Sequence, residues 1–358
     1  MACITKRRGR YVIDCYDQNG KRYRKTLPLG ITKKKARERL VELEKKISRH
    51  TFMHEKQTPL FSEVATDWLK WKEPNIREST YEWLEGATKN HFTDLDKVKI
   101  SHITTADVEK WATELQKIGL KQPTIKHMMK IFSQIMGYAV RHRLVDSNPV
   151  SDAVKPRRRP EDEKKPATIL TPEQIRALLN AVSDNQYHAL LSTAIKTGCR
   201  KGELLGLKWK DVDFEKSKIH ICRTYNHQRI FAPKTQGSIR AIDCPAALMV
   251  ELRKYKIRSG GREESFVFSN SEGNPLSEAA VYTRLKRTVK SIGGPETIKF
   301  HDLRHLYASL LIAQGENVLY IQRQLGHSNP TITLNTYGHL MKQDNPEAAE
   351  RLERALFG

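Results

Sequence analysis

Alternating apolar and polar positions predict that the chain begins with a small sheet followed by a helix. Residues 10–17 (RYVIDCYD) alternate as a half-buried strand does, and Asn19-Gly20 is a hairpin signal before a return strand over residues 21–29. Thr32 then predicts the N-cap of a helix with one apolar face. The apolar side chains of that helix recur every three or four residues at Ala36, Leu40, Leu43 and Ile47. The pattern predicts one module of sheet plus helix over residues 1–50.

Residues 57–150 carry a helical rather than an alternating pattern. Thr104 is a candidate helix cap, and Pro123 is well suited to the first turn of a long helix. Four or so helices in about ninety residues form a compact bundle. The apolar stripe of the long helix, which we expect in the core, comprises Ile125, Met128, Met129, Phe132, Ile135, Met136 and Ala139.

Residues 151–168 hold three prolines within a dense mixture of charges, which predicts a flexible linker that builds no core. The basic run 157–159 is a candidate contact for a polyanion that passes along the linker. Beyond the linker, Thr171 and Gln174 form a capping box that opens a third, mostly helical region. Short strands are predicted there over 218–223 and 228–243, with a turn near 236–238. The chain is therefore expected to be multidomain and mainly α, with small β elements.

The charge of the chain indicates a polyanionic partner. There are 63 Lys and Arg against 41 Asp and Glu, a net charge of +22. Residues 1–50 hold 16 of the basic and 5 of the acidic residues, so 16 − 5 = +11, half of the total, lies in that module. Such a balance favours nucleic acid or an acidic membrane surface as partner. No apolar run reaches the length of a membrane span, and an intracellular protein is expected.

Metal sites and disulfides find little support in the sequence. The five cysteines are odd in number and form no CxxC pair, so neither a disulfide framework nor a structural zinc site is expected. The segment HDLRH (301–305) resembles the zinc motif HExxH, whose two histidines share one helical face. Arg304 stands between these histidines, and a cation beside a zinc ion is unfavourable. Acidic residues do not cluster as a magnesium nuclease requires. A metal-free site is therefore expected.

Four short motifs resemble, in their order along the chain, the catalytic domain of the tyrosine recombinases, the phage-integrase family. The motifs are TGCRKGE (197–203), HDLRH (301–305), LGH (325–327) and NTYGHL (335–340). The family pattern is an Arg, a Lys on a β-hairpin, HxxR, a His or Trp, and a Tyr. The matching residues are Arg200, Lys234, His301 with Arg304, His327 and Tyr337.

The resemblance extends over the remaining chain and implies its division into domains. Residues 1–50 are similar to the arm-type DNA-binding modules of integrases from mobile elements of Gram-positive bacteria. Residues 57–150 are similar to the helical, SAM-like core-binding domain. The linker 151–168 then leads to a mixed α+β catalytic domain over residues 169–358.

The resemblance also implies a role for each motif residue. Tyr337 is the expected nucleophile, forming a 3′-phosphotyrosyl link with DNA without metal, ATP or any cofactor. Arg200 and Arg304 would bind the non-bridging phosphate oxygens, because paired guanidinium donors suit an anionic transition state. Lys234 is the expected general acid. Three residues have supporting roles: His301 accepts the tyrosine proton or stabilises the phosphate, His327 donates to a phosphate oxygen, and Glu203 braces Arg200. His305 and His339 lie beside motif positions and are left out of catalysis.

Double-stranded DNA is the implied partner, with core sites bound through residues 57–358 and arm sites through residues 1–50. A homotetramer on DNA and an accessory DNA-bending or excision factor are expected, but no membrane. The bacterial cytoplasm, at the nucleoid, is the expected location. Residues 346–358 form an amphipathic helix that would pack on a neighbouring protomer or on its own domain. Two alternatives remain open: a type IB topoisomerase, and a non-catalytic DNA-binding regulator derived from a recombinase.

Overall fold

The computed structural model of this chain separates it into two compact units, Met1–Lys164 and Lys165–Gly358. The structure describes residues 2–49, 52, 57–163, 168–231, 239–338 and 346–357. Within these ranges, no helix is both long and apolar enough to cross a membrane. The further division of the first unit into domains over 1–50 and 57–150 stays a prediction.

The first unit begins with a three-stranded antiparallel sheet, in the order β1 (Cys3–Arg7), β2 (Arg10–Tyr16) and β3 (Arg22–Thr26). Helix α1 (Lys33–Ser48) follows, and the Thr32 hydroxyl accepts a hydrogen bond from the Lys35 amide as its cap. Strand β1 was not predicted from the sequence, because a five-residue edge strand that buries no side chain has little alternation of apolar and polar residues. The core between sheet and helix comprises Ile13, Cys15, Leu27 and Ala36, with Tyr11 and Tyr23 packed against it.

A helical bundle forms the rest of this unit. Its helices are α2 (Phe61–Lys72), α3 (Glu78–His91), α4 (Thr105–Lys117) and α5 (Gln122–Arg141). Thr104 caps α4 as predicted, and every residue of the apolar stripe predicted for α5 is buried. Four aromatic rings stack or meet edge to face at the centre of the bundle: Phe61, Phe92, Trp111 and Phe132.

The first part of the predicted linker packs against the bundle, so the expectation that it builds no core was wrong there. Ala153 joins the core of the bundle, and Asp162 is only 2% exposed. The Asp162 carboxylate accepts hydrogen bonds from the backbone amides of Gln122 and Arg159. The Arg159 guanidinium in turn donates to the carbonyls of Gln116 and Leu120. These hydrogen bonds to the bundle hold residues that composition alone describes as a flexible linker.

The described residues of the second unit are mainly helical, with one three-stranded antiparallel sheet and one two-stranded hairpin. The predicted turn near 236–238 lies outside the described residues. The sheet has the strand order β4 (Val212–Asp213), β5 (Lys218–Ile221) and β8 (Arg240–Asp243). In the hairpin, β6 (Thr224–Asn226) pairs with β7 (Arg229–Phe231). The helices are α6 (Pro172–Asn180), α7 (Asn185–Thr197), α8 (Lys201–Leu205), α9 (Ala246–Ser259), α10 (Glu278–Ser291), α11 (Phe300–Ala313), α12 (Val318–Leu325), α13 (Pro330–Tyr337) and α14 (Pro346–Phe357).

Helix α14 exposes the apolar side chains of Leu352, Leu356 and Phe357. The amphipathic helix predicted after the tyrosine motif is therefore present. Its packing on a neighbouring protomer stays a prediction.

Candidate active site

The C-terminal end of α12 accepts hydrogen bonds from three arginines that are distant from one another in the sequence. The last carbonyls of a helix lack partners within it and lie at the negative end of its dipole, so they favour cations. The motifs TGCRKGE, HDLRH and LGH thereby meet at a single turn of the chain. The bonds run from Arg240 Nε to the Gln324 carbonyl at 2.7 Å, from Arg304 Nη2 to the Leu325 carbonyl at 2.5 Å, and from Arg200 Nη2 to the Gly326 carbonyl at 3.3 Å.

Glu203 connects two of these arginines. Its buried carboxylate accepts two hydrogen bonds from Arg240, both at 2.9 Å, and one from Arg200 Nη1 at 2.7 Å. Burial would raise the pKa of Glu203, but the hydrogen bonds and charges of Arg240 and Arg200 outweigh burial and lower the pKa to about 2. Glu203 is therefore ionised at neutral pH, and its hydrogen bond from Arg200 holds that guanidinium group.

The site keeps an excess of positive charge. Arg200, Arg240 and Arg304 contribute three charges and Glu203 removes one, so 3 − 1 = +2 remains among these four side chains. Arg304 is 2% exposed, and its Nη1 also donates to the Gly198 carbonyl at 2.9 Å. Burial, with repulsion from Arg200, lowers the pKa of Arg304 to about 9, which leaves it a cation at neutral pH. Two uncompensated positive charges on partly buried guanidinium groups suit a phosphate ligand.

His301 and His327 are neutral members of the same site. Partial desolvation, together with His305 and the neighbouring arginines, lowers the pKa of His301 to about 4. Desolvation and the charges of Arg304 and Arg200 likewise lower the pKa of His327 to about 4. The His327 ring is held by a hydrogen bond of 2.9 Å between its Nδ1 and the Thr333 hydroxyl. A neutral imidazole has one N–H that can donate to a phosphate oxygen.

Tyr337, the last residue of α13, points into the protein and is 3% exposed. Its hydroxyl lies 2.7 Å from His305 Nδ1. Burial raises the pKa of Tyr337 to about 12, although the charge of Arg304 acts in the opposite direction. The tyrosine at rest is therefore a neutral phenol with a histidine as hydrogen-bond partner.

Two residues that lie in this site, His305 and Arg240, were not expected there from the sequence. His305 follows the HxxR motif directly, and its spacing of four from His301 places both imidazoles on one face of α11. Their rings meet edge to face at 4.9 Å, so helical spacing could have indicated His305. Arg240 gave no such signal, because its partner Glu203 is 37 residues away. Lys234 lies outside the described residues, and its role as general acid stays a prediction.

Gly326 offers a test of how closely Arg240 is packed. Its φ is +63°, and a Cβ there would lie 2.8 Å from Arg240 Nη1. Gly315, after α11, has a similar φ of +81° but open space around it. Gly315→Ala is therefore expected to cost only the backbone strain of about 1–2 kcal/mol. Gly326→Ala is expected to cost more, because the added Cβ would also displace the Arg240 side chain, and denaturant unfolding would measure the difference. Equal losses in both variants would contradict the close packing of Arg240.

Comparison with known proteins places this site in a family. Residues 168–344 match the phage integrase family, and residues 60–116 match the phage integrase N-terminal SAM-like domain. A "tyrosine recombinase XerC-like" protein of Caldanaerobacter subterraneus subsp. tengcongensis is 28% identical, over 94% of this chain and 93% of its own length. The ICEBs1 integrase of Bacillus subtilis is 27% identical, over 97% of this chain and 98% of its own.

Solved structures share the fold. An integrase of the Tn1549 transposon, in complex with transposon right end DNA, superposes with a TM-score of 0.68 at 24% identity, covering 84% of this chain and all of that one. A lambda integrase tetramer bound to a Holliday junction superposes with a TM-score of 0.61 at 20% identity, covering 92% of this chain and 96% of that one.

Proposed function

Because the chain belongs to the phage integrase family, we propose that it is a site-specific DNA recombinase. It cleaves and rejoins DNA through a 3′-phosphotyrosyl intermediate, to integrate or excise a mobile element. The observation that carries the proposal is the convergence of Arg200, Arg240 and Arg304 on the end of α12, with His327 following directly. That arrangement provides an anion site, and Tyr337 lies on the next helix.

Strand cleavage is a transesterification at phosphorus. The Tyr337 oxygen attacks, the bond to the 5′ oxygen breaks, and a phosphodiester to tyrosine replaces the one to DNA. Since one phosphodiester replaces another, rejoining needs no ATP. The hydrogen bonds of Arg200 and Arg304 to helix-end carbonyls hold both guanidinium groups in place before the phosphate arrives. Each donor to a non-bridging oxygen would lower the barrier by roughly 3–4 kcal/mol.

The histidines and the lysine complete the proposed chemistry. His301 and His327, both neutral, donate hydrogen bonds to the phosphate oxygens. Lys234 protonates the leaving 5′ oxygen as general acid. Glu203 holds the guanidinium of Arg200 rather than touching DNA.

Double-stranded DNA is the proposed partner at both ends of the chain. Residues 57–358 would hold the core site, while residues 1–50, with their net charge of +11, would hold an arm site. Four protomers would assemble on two core sites, and an accessory DNA-bending or excision factor would set the direction. The related integrases belong to bacteria and phages, so the bacterial cytoplasm, at the nucleoid, is the proposed location.

The decisive functional assay compares joining with relaxation. A supercoiled plasmid carries the attachment site found in the DNA that flanks the gene, and a linear fragment carries its partner site. The full chain is expected to join the two in EDTA and without ATP. Relaxation of the plasmid without joining would instead identify a type IB topoisomerase. Binding without either reaction would identify a non-catalytic regulator.

A further inference from the structure

We propose that His305 accepts the proton of the Tyr337 hydroxyl as this oxygen attacks phosphorus. The inference rests on the proposed recombinase function and adds the base that this chemistry needs. The motif pattern alone gave His301 either that task or stabilisation of the phosphate, and it gave His305 none.

The geometry favours His305 over His301. His305 Nδ1 lies 2.7 Å from the Tyr337 oxygen, and the two rings meet at 5.5 Å. Among the described residues, no hydrogen bond joins His301 to Tyr337, whereas His301 contacts the His305 ring edge-on. A general base must lie within hydrogen-bond reach of the proton that it takes, and His305 meets that condition.

The surroundings of the hydroxyl make a base necessary. Tyr337 is 3% exposed and packs with Tyr307, Ile321 and Leu325, so bulk water has little access to its proton. Burial raises its pKa, which keeps the phenol protonated at neutral pH. Partial burial lowers the pKa of His305, so its imidazole is neutral and one ring nitrogen carries a lone pair.

The proton balance of the step is complete. The Tyr337 proton moves to Nδ1 of the His305 tautomer that carries its hydrogen on Nε2, while the phenolic oxygen bonds to phosphorus. The bond from phosphorus to the 5′ oxygen breaks, and that oxygen takes a proton from the general acid. On rejoining, the 5′ hydroxyl returns its proton to the general acid, and the His305 imidazolium returns the other to the tyrosine.

The test varies the acidity of the nucleophile. Tyrosine, 3-fluorotyrosine and 3,5-difluorotyrosine are placed at position 337 of the full chain, each with His305 or with His305→Gln. Single-turnover formation of the covalent adduct is measured on a nicked DNA substrate. With tyrosine, His305→Gln is expected to slow adduct formation about a hundredfold or more, the usual contribution of a general base. With difluorotyrosine, the loss should shrink to about tenfold or less, because a more acidic phenol needs less help.

A matched control lies one turn earlier on the same helix. His301→Gln removes a phosphate contact, so its loss of rate should stay constant across the three phenols. A constant loss for His305→Gln as well, or no loss at all, would overturn the proposal and leave His305 a structural role. His305→Asn repeats the comparison with a smaller side chain, in case the Gln variant fails to fold. Absence of any adduct with the unaltered chain would overturn the recombinase function itself, and the base with it.

Discussion

Tyr337→Phe is expected to reduce covalent attachment to DNA below detection while the protein stays folded. The substitution removes the one oxygen that can bond to phosphorus and leaves the ring in its buried cluster with Ile321 and Leu325. The fold loses a single hydrogen bond, to His305, which is worth about 1 kcal/mol. Denaturing gels of a nicked DNA substrate would measure attachment, and denaturant unfolding would measure stability.

Tyr307 provides a matched control within the same cluster. It is 8% exposed, and burial raises its pKa as it does that of Tyr337. Tyr307→Phe makes the same chemical change in the same surroundings, and we expect it to leave adduct formation intact. An adduct that persists in Tyr337→Phe but disappears in Tyr307→Phe would show that the nucleophile is wrongly assigned.

Glu203→Ala is expected to destabilise the second unit by about 3–5 kcal/mol, because it leaves the buried Arg240 guanidinium without its counter-ion. Cleavage should fall as well, since the same carboxylate holds Arg200. Glu173→Ala is the control, because the Glu173 to Arg176 pair is well exposed and solvent screens its attraction. Urea unfolding of the three proteins gives the comparison.

A double variant separates the two effects of Glu203. Glu203→Leu with Arg240→Met replaces the ion pair by apolar side chains and is expected to recover most of the stability. It should not recover cleavage, because Arg200 still lacks its carboxylate. Restored cleavage in the double variant would contradict the bracing role of Glu203.

The same ion pair makes stability depend on acidity. The pKa of Glu203 is lowered from 4.5 to about 2 by folding. Its contribution to the free energy of unfolding is therefore complete at a pH well above 4.5, the pKa in the unfolded chain. That stabilisation is lost as the pH falls from about 4.5 towards 2. The double variant, which lacks the carboxylate, should lose less stability over this range than the unaltered chain does.

Elements with a clear apolar period or a turn signal were predictable from the sequence, and strand β1 was not. The stripe of α5 repeats over about four turns, and each of its members is buried. Strand β1 (CITKR) offers no alternation of that strength and is stabilised by pairing with β2. The burial of Asp162 could not be predicted either, because it depends in part on the Gln122 amide, which only the folded bundle brings near.

Within the site, residues that share one helix could be recognised from their spacing, whereas contacts between distant elements could not be predicted from the sequence. The family resemblance assigned His301 and Arg304, and the spacing of four that places His301 and His305 on one helical face was visible in HDLRH. The contact of Arg240 with Glu203 spans 37 residues and two separate elements. The gathering of three arginines at the end of α12 depends on unpaired carbonyls, which the side-chain sequence does not reveal.

The covalent bond itself tests most directly whether Tyr337 is the nucleophile that becomes joined to DNA. The full chain is trapped on a nicked attachment-site DNA, the complex is digested with protease and nuclease, and the nucleotide-linked peptide is sequenced by mass spectrometry. We expect a single modified residue, Tyr337, joined to a 3′ phosphate. A link to any other residue, a link to a 5′ phosphate, or no linked peptide from DNA that the protein has cut would contradict it.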